Sequence, residues 1–298
     1  MPGGKLKEVR TRIQSVISTQ QITKAMKMVS AAKLRRAQEA ITQMRPYAGK
    51  LTEMLNNIIS GQPGDMDIAF AKSRDVKKVL IVIITSDKGL CGGFNSNLIK
   101  MTRQAIHNQY ESLAKQGKVE LMTIGNKGFG YFKKESHPVN KDFIGLFSEL
   151  TFENVSKAAD YAMEGFLENR FDRIDLVYSK FKNAATQIFT QEQFLPIPKV
   201  ETAASSKSNK VPDFIYEPDK TKIIEYLVPK ILKTQFYKAI LDNNASEHGA
   251  RMTAMDKASE NANELLRDLR ISYNRARQAA ITTELTEIVS GAAALEGN

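Results

Sequence analysis

An α/β body inserted between two long helices that pair as an antiparallel coiled coil is the fold class predicted by this 298-residue sequence. Three observations carry it. Residues 5–45 and residues 250–290 each run 41 positions without Gly or Pro, in a chain that holds 17 Gly and 9 Pro. Apolar positions in both stretches recur at steps of three and four, the heptad pattern of a coiled coil. Between them, short apolar runs alternate with amphipathic segments, as in a mostly parallel sheet.

The first stretch is rich in Ala, Lys, Arg, Gln and Met, the straight-chain helix formers. Leu6, Val9, Ile13 and Val16 form one seam, and Ala37, Ile41, Met44, Ala48, Leu51, Leu55 and Ile58 form a second. The apolar seam slips between Gln20 and Leu34, which predicts an imperfect coil there. Pro46 removes a backbone donor and predicts a kink, and Gly61, Pro63 and Gly64 predict the end of the helix. Residues 1–60 thus form an N-terminal helical segment.

The middle of the chain, residues 75–200, reads as an inserted domain. Lys78–Thr85 is a continuous apolar run of strand length, followed by a glycine-bearing turn and an amphipathic helix over 95–115. Residues 118–125, 173–181 and 186–194 read as further strands and 154–169 as a helix. The alternation predicts a Rossmann-like, mostly parallel α/β domain. Pro196, Pro198 and the Ser/Lys/Asn-rich run Ala203–Lys210 mark its exit. In the last segment, 211–298, a second seam runs through Met252, Met255, Ala258, Ala262, Leu265, Leu269, Tyr273, Ala276 and Ala280. At about 1.5 Å per residue each Gly/Pro-free stretch is about 60 Å long, more than the width of a small domain, and the two predict a pair.

Charge is unevenly spread. The chain carries a net +10, and residues 1–60 alone hold 11 basic against 3 acidic side chains. Such a segment calls for an acidic partner: nucleic acid, an anionic lipid surface or an acidic protein loop. The longest apolar run, Val79–Ile84, falls far short of the roughly 20 residues of a membrane-crossing helix. A single cysteine and the absence of a basic-then-apolar leader point to a reducing compartment.

The chemistry candidates resolve into blander readings. Ser86-Asp87-Lys88-Gly89-Leu90-Cys91-Gly92-Gly93-Phe94-Asn95 lies between a strand and a helix, where glycines can cradle a phosphate, but it lacks both the phosphate-loop and the dinucleotide spacing. It reads as a tight turn, as does Gly125-Asn126-Lys127-Gly128-Phe129-Gly130. Cys91 has no histidine tied to it by motif among His107, His137 and His248. Asp87 with Glu164 or Glu168 shows no spacing that demands a carboxylate pair. One Cys and three scattered His give no zinc pattern. No catalytic residue, cofactor or metal is predicted. Lys24, Lys27, Lys33, Arg35 and Arg36 form a basic stretch on the first helix without aromatics for base stacking.

The C-terminal segment Ile281-Thr282-Thr283-Glu284-Leu285-Thr286-Glu287-Ile288-Val289-Ser290-Gly291-Ala292-Ala293-Ala294 resembles, at every specified position, the signature of the rotary ATP synthase gamma subunit family. Ile22-Thr23-Lys24-Ala25-Met26-Lys27-Met28-Val29 with Ala31-Ala32-Lys33-Leu34 resembles that family's N-terminal helix, and Ser86–Gly93 its first inner turn. The resemblance implies the central rotor of a proton-translocating ATP synthase, a non-catalytic subunit. Its helices would form a shaft inside a ring of alpha and beta subunits, and its α/β body a foot beside the epsilon subunit and the membrane c-ring. It implies partner contacts at Met26, Lys33, Arg36, Arg277, Gln278, Thr282, Glu284, Gly291 and Ala292, with acidic loops of the beta subunits facing the basic helix. The plastid form of the family carries an insertion with a regulatory cysteine pair, absent here. Without a transit peptide the resemblance is to the bacterial form, peripheral on the cytoplasmic face of the membrane. The competing expectations are a basic coiled coil that binds nucleic acid and a small-molecule α/β enzyme using the Gly89–Gly93 turn; no nucleic acid is the expected partner.

Overall fold

The computed structural model of the protein describes residues 2–60, 69–198 and 220–296. The elements are α1 (Pro2–Ser60), β1 (Val79–Ile84), α2 (Phe94–Lys115), β2 (Val119–Ile124), α3 (Asn126–Phe132), β3 (Val139–Asn140), α4 (Phe152–Leu167), β4 (Arg173–Phe181), β5 (Gln187–Leu195) and α5 (Lys220–Glu296). Gly61, Pro63, Gly64 and the Ala203–Lys210 run lie outside the described residues. The chain divides into two compact units, one of residues 1–30 and 251–298, the other of residues 31–250.

In the first unit α1 and α5 run antiparallel. Gln20 meets Asn263 side chain to side chain, Thr23 meets Ser259, and Lys27 meets Asp256, so each step forward on α1 is a step back on α5. The predicted slip of the seam does not occur. The inward line of α1 continues through Thr23 and Ser30, 8% and 3% exposed, while Ile22, Met28 and Val29 face outward at 58% or more. The heptad is therefore unbroken, with hydroxyls carrying it where the apolar seam was expected to slip. On α5 the seam runs Met255, Ser259, Ala262, Leu266, Leu269, Tyr273, Ala276 and Ala280. Two expected seam positions are displaced by one residue. Ser259 replaces Ala258, and Leu266 is buried where Leu265 was expected, Leu265 being exposed. A repeat of alternating threes and fours leaves two adjacent leucines equivalent in composition, and only the facing helix distinguishes them.

The second unit is built on a five-stranded sheet ordered β3-β2-β1-β4-β5, parallel except for the antiparallel β4–β5 pair. All six residues of β1 are buried, as a central strand covered on both faces requires. Leu80, Val82 and Ile84 pack on one face with α4, Leu51 of α1 and Val228–Ile240 of α5. Val79, Ile81 and Ile83 pack on the other with Phe94, Leu98 and Ile106 of α2. Strand expectations hold to within a residue at each end. The Asn126–Gly130 segment, expected as a turn, is instead the first part of α3, and β3 had no counterpart in the sequence reading. α1 remains helical through Pro46, which is exposed, as is Thr42, whose carbonyl loses its donor to the proline. α5 begins well before residue 250 and passes through Pro229.

Candidate functional site: an exposed helical surface

The second glycine-bearing turn, Gly125–Gly130, is occupied by the chain itself. α3 begins where β2 ends, and its first backbone donors have partners: Asn126 N–H donates to Asp87 Oδ1 (3.1 Å), Lys127 N–H to the Ser86 carbonyl (3.0 Å) and Gly128 N–H to Thr85 Oγ1 (2.9 Å). Gly125, at φ +96°, lies so close to the end of β1 that a Cβ there would sit 2.3 Å from the Thr85 carbonyl oxygen. That contact, and not a ligand, accounts for the glycine. Cys91 is 2% exposed and accepts from Asn95 Nδ2 at 3.2 Å, and Asn95 also bonds Ser86. Among the described residues no group of three or more His, Cys, Asp or Glu could hold a metal ion. Open grooves along α2 are lined by Lys100, Arg103, His107 and Tyr131, and Arg103 is engaged there with Tyr131 (3.3 Å) and Glu135 (3.6 Å).

The surface that lacks internal partners is helical. Extended toward the termini at the register set by Gln20, Thr23 and Lys27, Pro2 falls beside Ile281, so residues 282–296 run past the start of α1. Burial agrees with this. Among the residues whose burial is described, Ala280 is the last buried one of α5, and beyond it Ile281, Leu285, Ile288 and Val289 are 49 to 67% exposed. Residues 281, 285 and 288 are spaced four and three apart, an apolar stripe on one face. With Ile22, Met28, Val29 and Ile271 also outward, the coil carries apolar side chains on its exterior.

The site residues expected from sequence distribute over this surface. Met26 is half-buried in the coil, and Arg277, Gln278, Thr282, Glu284, Gly291 and Ala292 are exposed on α5. Thr282 Oγ1 donates to the Gln278 carbonyl (3.0 Å), joining those two residues on one turn. Lys33 and Arg36 are exposed on the part of α1 that belongs to the second unit. The sequence reading did not single out Ile22, Val29, Leu285 or Ile288 as outward-facing, although a heptad phase fixed at Val9, Ile13 and Val16 would have placed Ile22 and Val29 off the seam.

Comparison with known proteins follows this geometry. A family model described as ATP synthase matches residues 5–295. The chain is 53% identical over 292 residues to the ATP synthase gamma chain of Flavobacterium johnsoniae, covering 98% of this chain and 99% of that relative. It is 51% identical over 290 residues to that of Cytophaga hutchinsonii, covering 97% and 98%. Among solved structures it resembles a chain in the central stalk and c-ring of the Tetrahymena thermophila mitochondrial ATP synthase (25% identity, TM-score 0.55, 80% of this chain and 99% of that one). It also shares the fold of a chain in the Euglena gracilis mitochondrial enzyme (20% identity, TM-score 0.65, 98% and 95%).

Proposed function

Because the chain belongs to the ATP synthase gamma-chain family, the central rotor stalk of the rotary ATP synthase, we propose that it carries torque and performs no chemistry of its own. In this reading residues 1–60 and 211–298 are the shaft, turning within a ring of alpha and beta subunits. Residues 75–200 are the foot, riding on the epsilon subunit and the membrane c-ring. The shaft presents a different face to each catalytic subunit at each angle, and differential contact biases their conformational equilibria. Met26, Lys33, Arg36, Arg277, Gln278, Thr282, Glu284, Gly291 and Ala292 are its contact residues. Lys33, Arg36 and Arg277 meet carboxylates of the ring, Lys33 as a point charge and the two arginines through their forked guanidinium groups.

The observation that carries this reading is where the apolar side chains lie: Thr23, Ser30 and Ser259 share the buried seam with apolar residues, while Ile22, Met28 and Val29 of the coil and Leu285 and Ile288 beyond it are exposed. Apolar contact is non-directional, so a shaft dressed in it can be enclosed by protein and still turn. Duplex DNA offers no cover for such residues. The occupied donors of α3 leave none free for a phosphate at the Gly125–Gly130 turn. No helix among the described residues is long and apolar enough to cross a membrane, and we assign the chain to the periphery of the bacterial membrane at its cytoplasmic face, through its partners.

Reconstitution tests the proposal. The isolated chain should neither hydrolyse ATP nor bind it stoichiometrically in calorimetry, and adding it to alpha and beta subunits should give an active ATPase. Stoichiometric ATP binding by the chain alone would sink the proposal.

A further inference from the structure

β4 outruns its neighbour. Its parallel register with β1 ends at Ile83 beside Val177, while β4 continues to Phe181 paired only with β5. Two residues past that end, Ser179 has its backbone groups met by α5: its N–H donates to Asn243 Oδ1 at 3.0 Å, and its carbonyl accepts from Ser246 Oγ at 3.2 Å. Ser179, Asn243 and Ser246 are all 0% exposed. Three residues apart on one helix face, Asn243 and Ser246 supply the acceptor and the donor that a further strand would supply.

The place matters. From β1 the sheet continues to β2 and β3 on one side and to β4 on the other, so the carboxyl ends of β1 and β4 flank the point where strand order reverses. In open α/β sheets that crevice is where ligands bind. Here α5 lies across it. Val228–Ile240 pack on the sheet face of Leu80, Val82 and Ile84, Ala250 packs on the opposite face with Ile81 and Ile83, and Asn243 and Ser246 lie between these in sequence. A Cβ at Gly249 would lie 3.0 Å from the Ala184 carbonyl oxygen, so the helix also abuts the β4–β5 connection. Asn243 Nδ2 is buried without a partner, a cost that an apolar residue would avoid. That residue would instead strand the buried Ser179 N–H, so the amide is kept for this bond.

We propose that the occupant of this ligand crevice is the chain's own C-terminal helix, and that Asn243 and Ser246 are positioning residues that lock α5 to the sheet so that foot and shaft turn as one. α5 continues from this point as a single helix into the coiled coil, which makes the lock a route for torque. The inference rests on the rotor reading.

The test uses the complete complex in liposomes, reading ATP-driven acidification with a pH dye per ATP hydrolysed, for Asn243→Leu, Ser246→Ala and Phe236→Leu. Phe236 lies in the core packed by the same helix and bonds nothing, so its variant reports instability alone. Asn243→Leu and Ser246→Ala should lower acidification per ATP while hydrolysis persists, and Phe236→Leu should leave that ratio unchanged. Equal ratios for all three variants, lowered or not, overturn the lock. Amide exchange on the full chain decides it separately: the Ser179 N–H should exchange about tenfold faster in Asn243→Leu, and an unchanged rate overturns the bond itself. A complex with the unaltered chain that fails to pump would instead count against the rotor reading.

Discussion

The Thr23 hydroxyl lies 2.7 Å from the Ser259 hydroxyl across the seam of the coil, and both residues are buried. Thr23 Oγ1 is also within 3.0 Å of the Gln20 carbonyl, and Ser259 Oγ within 2.8 Å of the Met255 carbonyl. Two protons serve three contacts. Whichever hydroxyl donates across the seam releases the carbonyl of its own helix, so the pair gains little over apolar side chains of the same shape.

Thr23→Val is therefore expected to change the stability of the coil by about 1 kcal/mol or less, with either sign. Ser259 keeps a carbonyl acceptor in the variant, so no buried donor is stranded. Urea titration followed by circular dichroism measures it, and a loss above about 2 kcal/mol would mean that the seam depends on the cross-helix bond.

Asp175 is 0% exposed in the middle of the sheet, accepting from Tyr110 Oη (2.6 Å), Gln191 Nε2 (2.8 Å) and Arg173 Nε (3.1 Å). Burial, with the carboxylate beside it, pushes the Tyr110 hydroxyl far above its ordinary range, so it remains a donor. Tyr110→Phe removes a short charge-assisted bond and should destabilise the α/β unit by about 1.5–3 kcal/mol. A urea midpoint unchanged from the unaltered chain would show that Gln191 and Arg173 suffice.

Asp242 is held above the ordinary carboxylate value, chiefly by burial, against the opposing pull of Arg45, Lys238 and Lys180. A carboxyl raised in the folded state binds its proton more tightly folded than unfolded. Its contribution to stability is therefore full in acid, below the ordinary carboxylate value, and is lost as pH rises through the raised value. Asp242→Asn should remove that loss, so the variant gains on the unaltered chain as pH rises from about 4 to about 7. Arg45, at 3.9 Å and 54% exposed, gives up little in exchange. Urea midpoints of both chains across this range check the sign, and a variant that falls behind as pH rises refutes the argument.

Arg277 and Gln278 are exposed on a helix of high propensity, so replacing both with Ala should alter stability by about 0.5 kcal/mol or less. The proposed charge-assisted contact, if buried in the assembled enzyme, would be worth roughly 1.5–3 kcal/mol. The double variant should keep its melting temperature and its assembly and lose turnover. Normal turnover in a normally assembled complex would leave these as two ordinary surface residues.

The sheet was legible because β1 is an unbroken apolar run buried throughout, and β2 and β4 are mostly buried with apolar residues at their centres, a signal that needs no partner to be recognised. α3 was not, because Gly125 before it and the two glycines within it suit a turn, and its first N–H groups are satisfied by Thr85, Ser86 and Asp87, some 40 residues earlier. The seam was half legible for a related reason. Counting apolar residues finds Val9, Ile13 and Val16, but Thr23 and Ser30 are buried by the phase of the repeat and not by their chemistry. Of the candidate contacts, Arg277, Gln278 and Thr282 carry no mark in composition that separates them from any solvated helix face. Asn243 and Ser246 were invisible for the opposite cause, since polar side chains give no hint that they end against a strand.

The burial of Cys91 has a practical side. At 2% exposure, with its sulfur accepting from Asn95 and the turn closed over it, the native thiol is shielded from bulky maleimides. A cysteine introduced on the exposed face of α5 would take a fluorophore alone, with no need to remove the native one. The chain is thus suited as it stands to single-site optical probes of angular position.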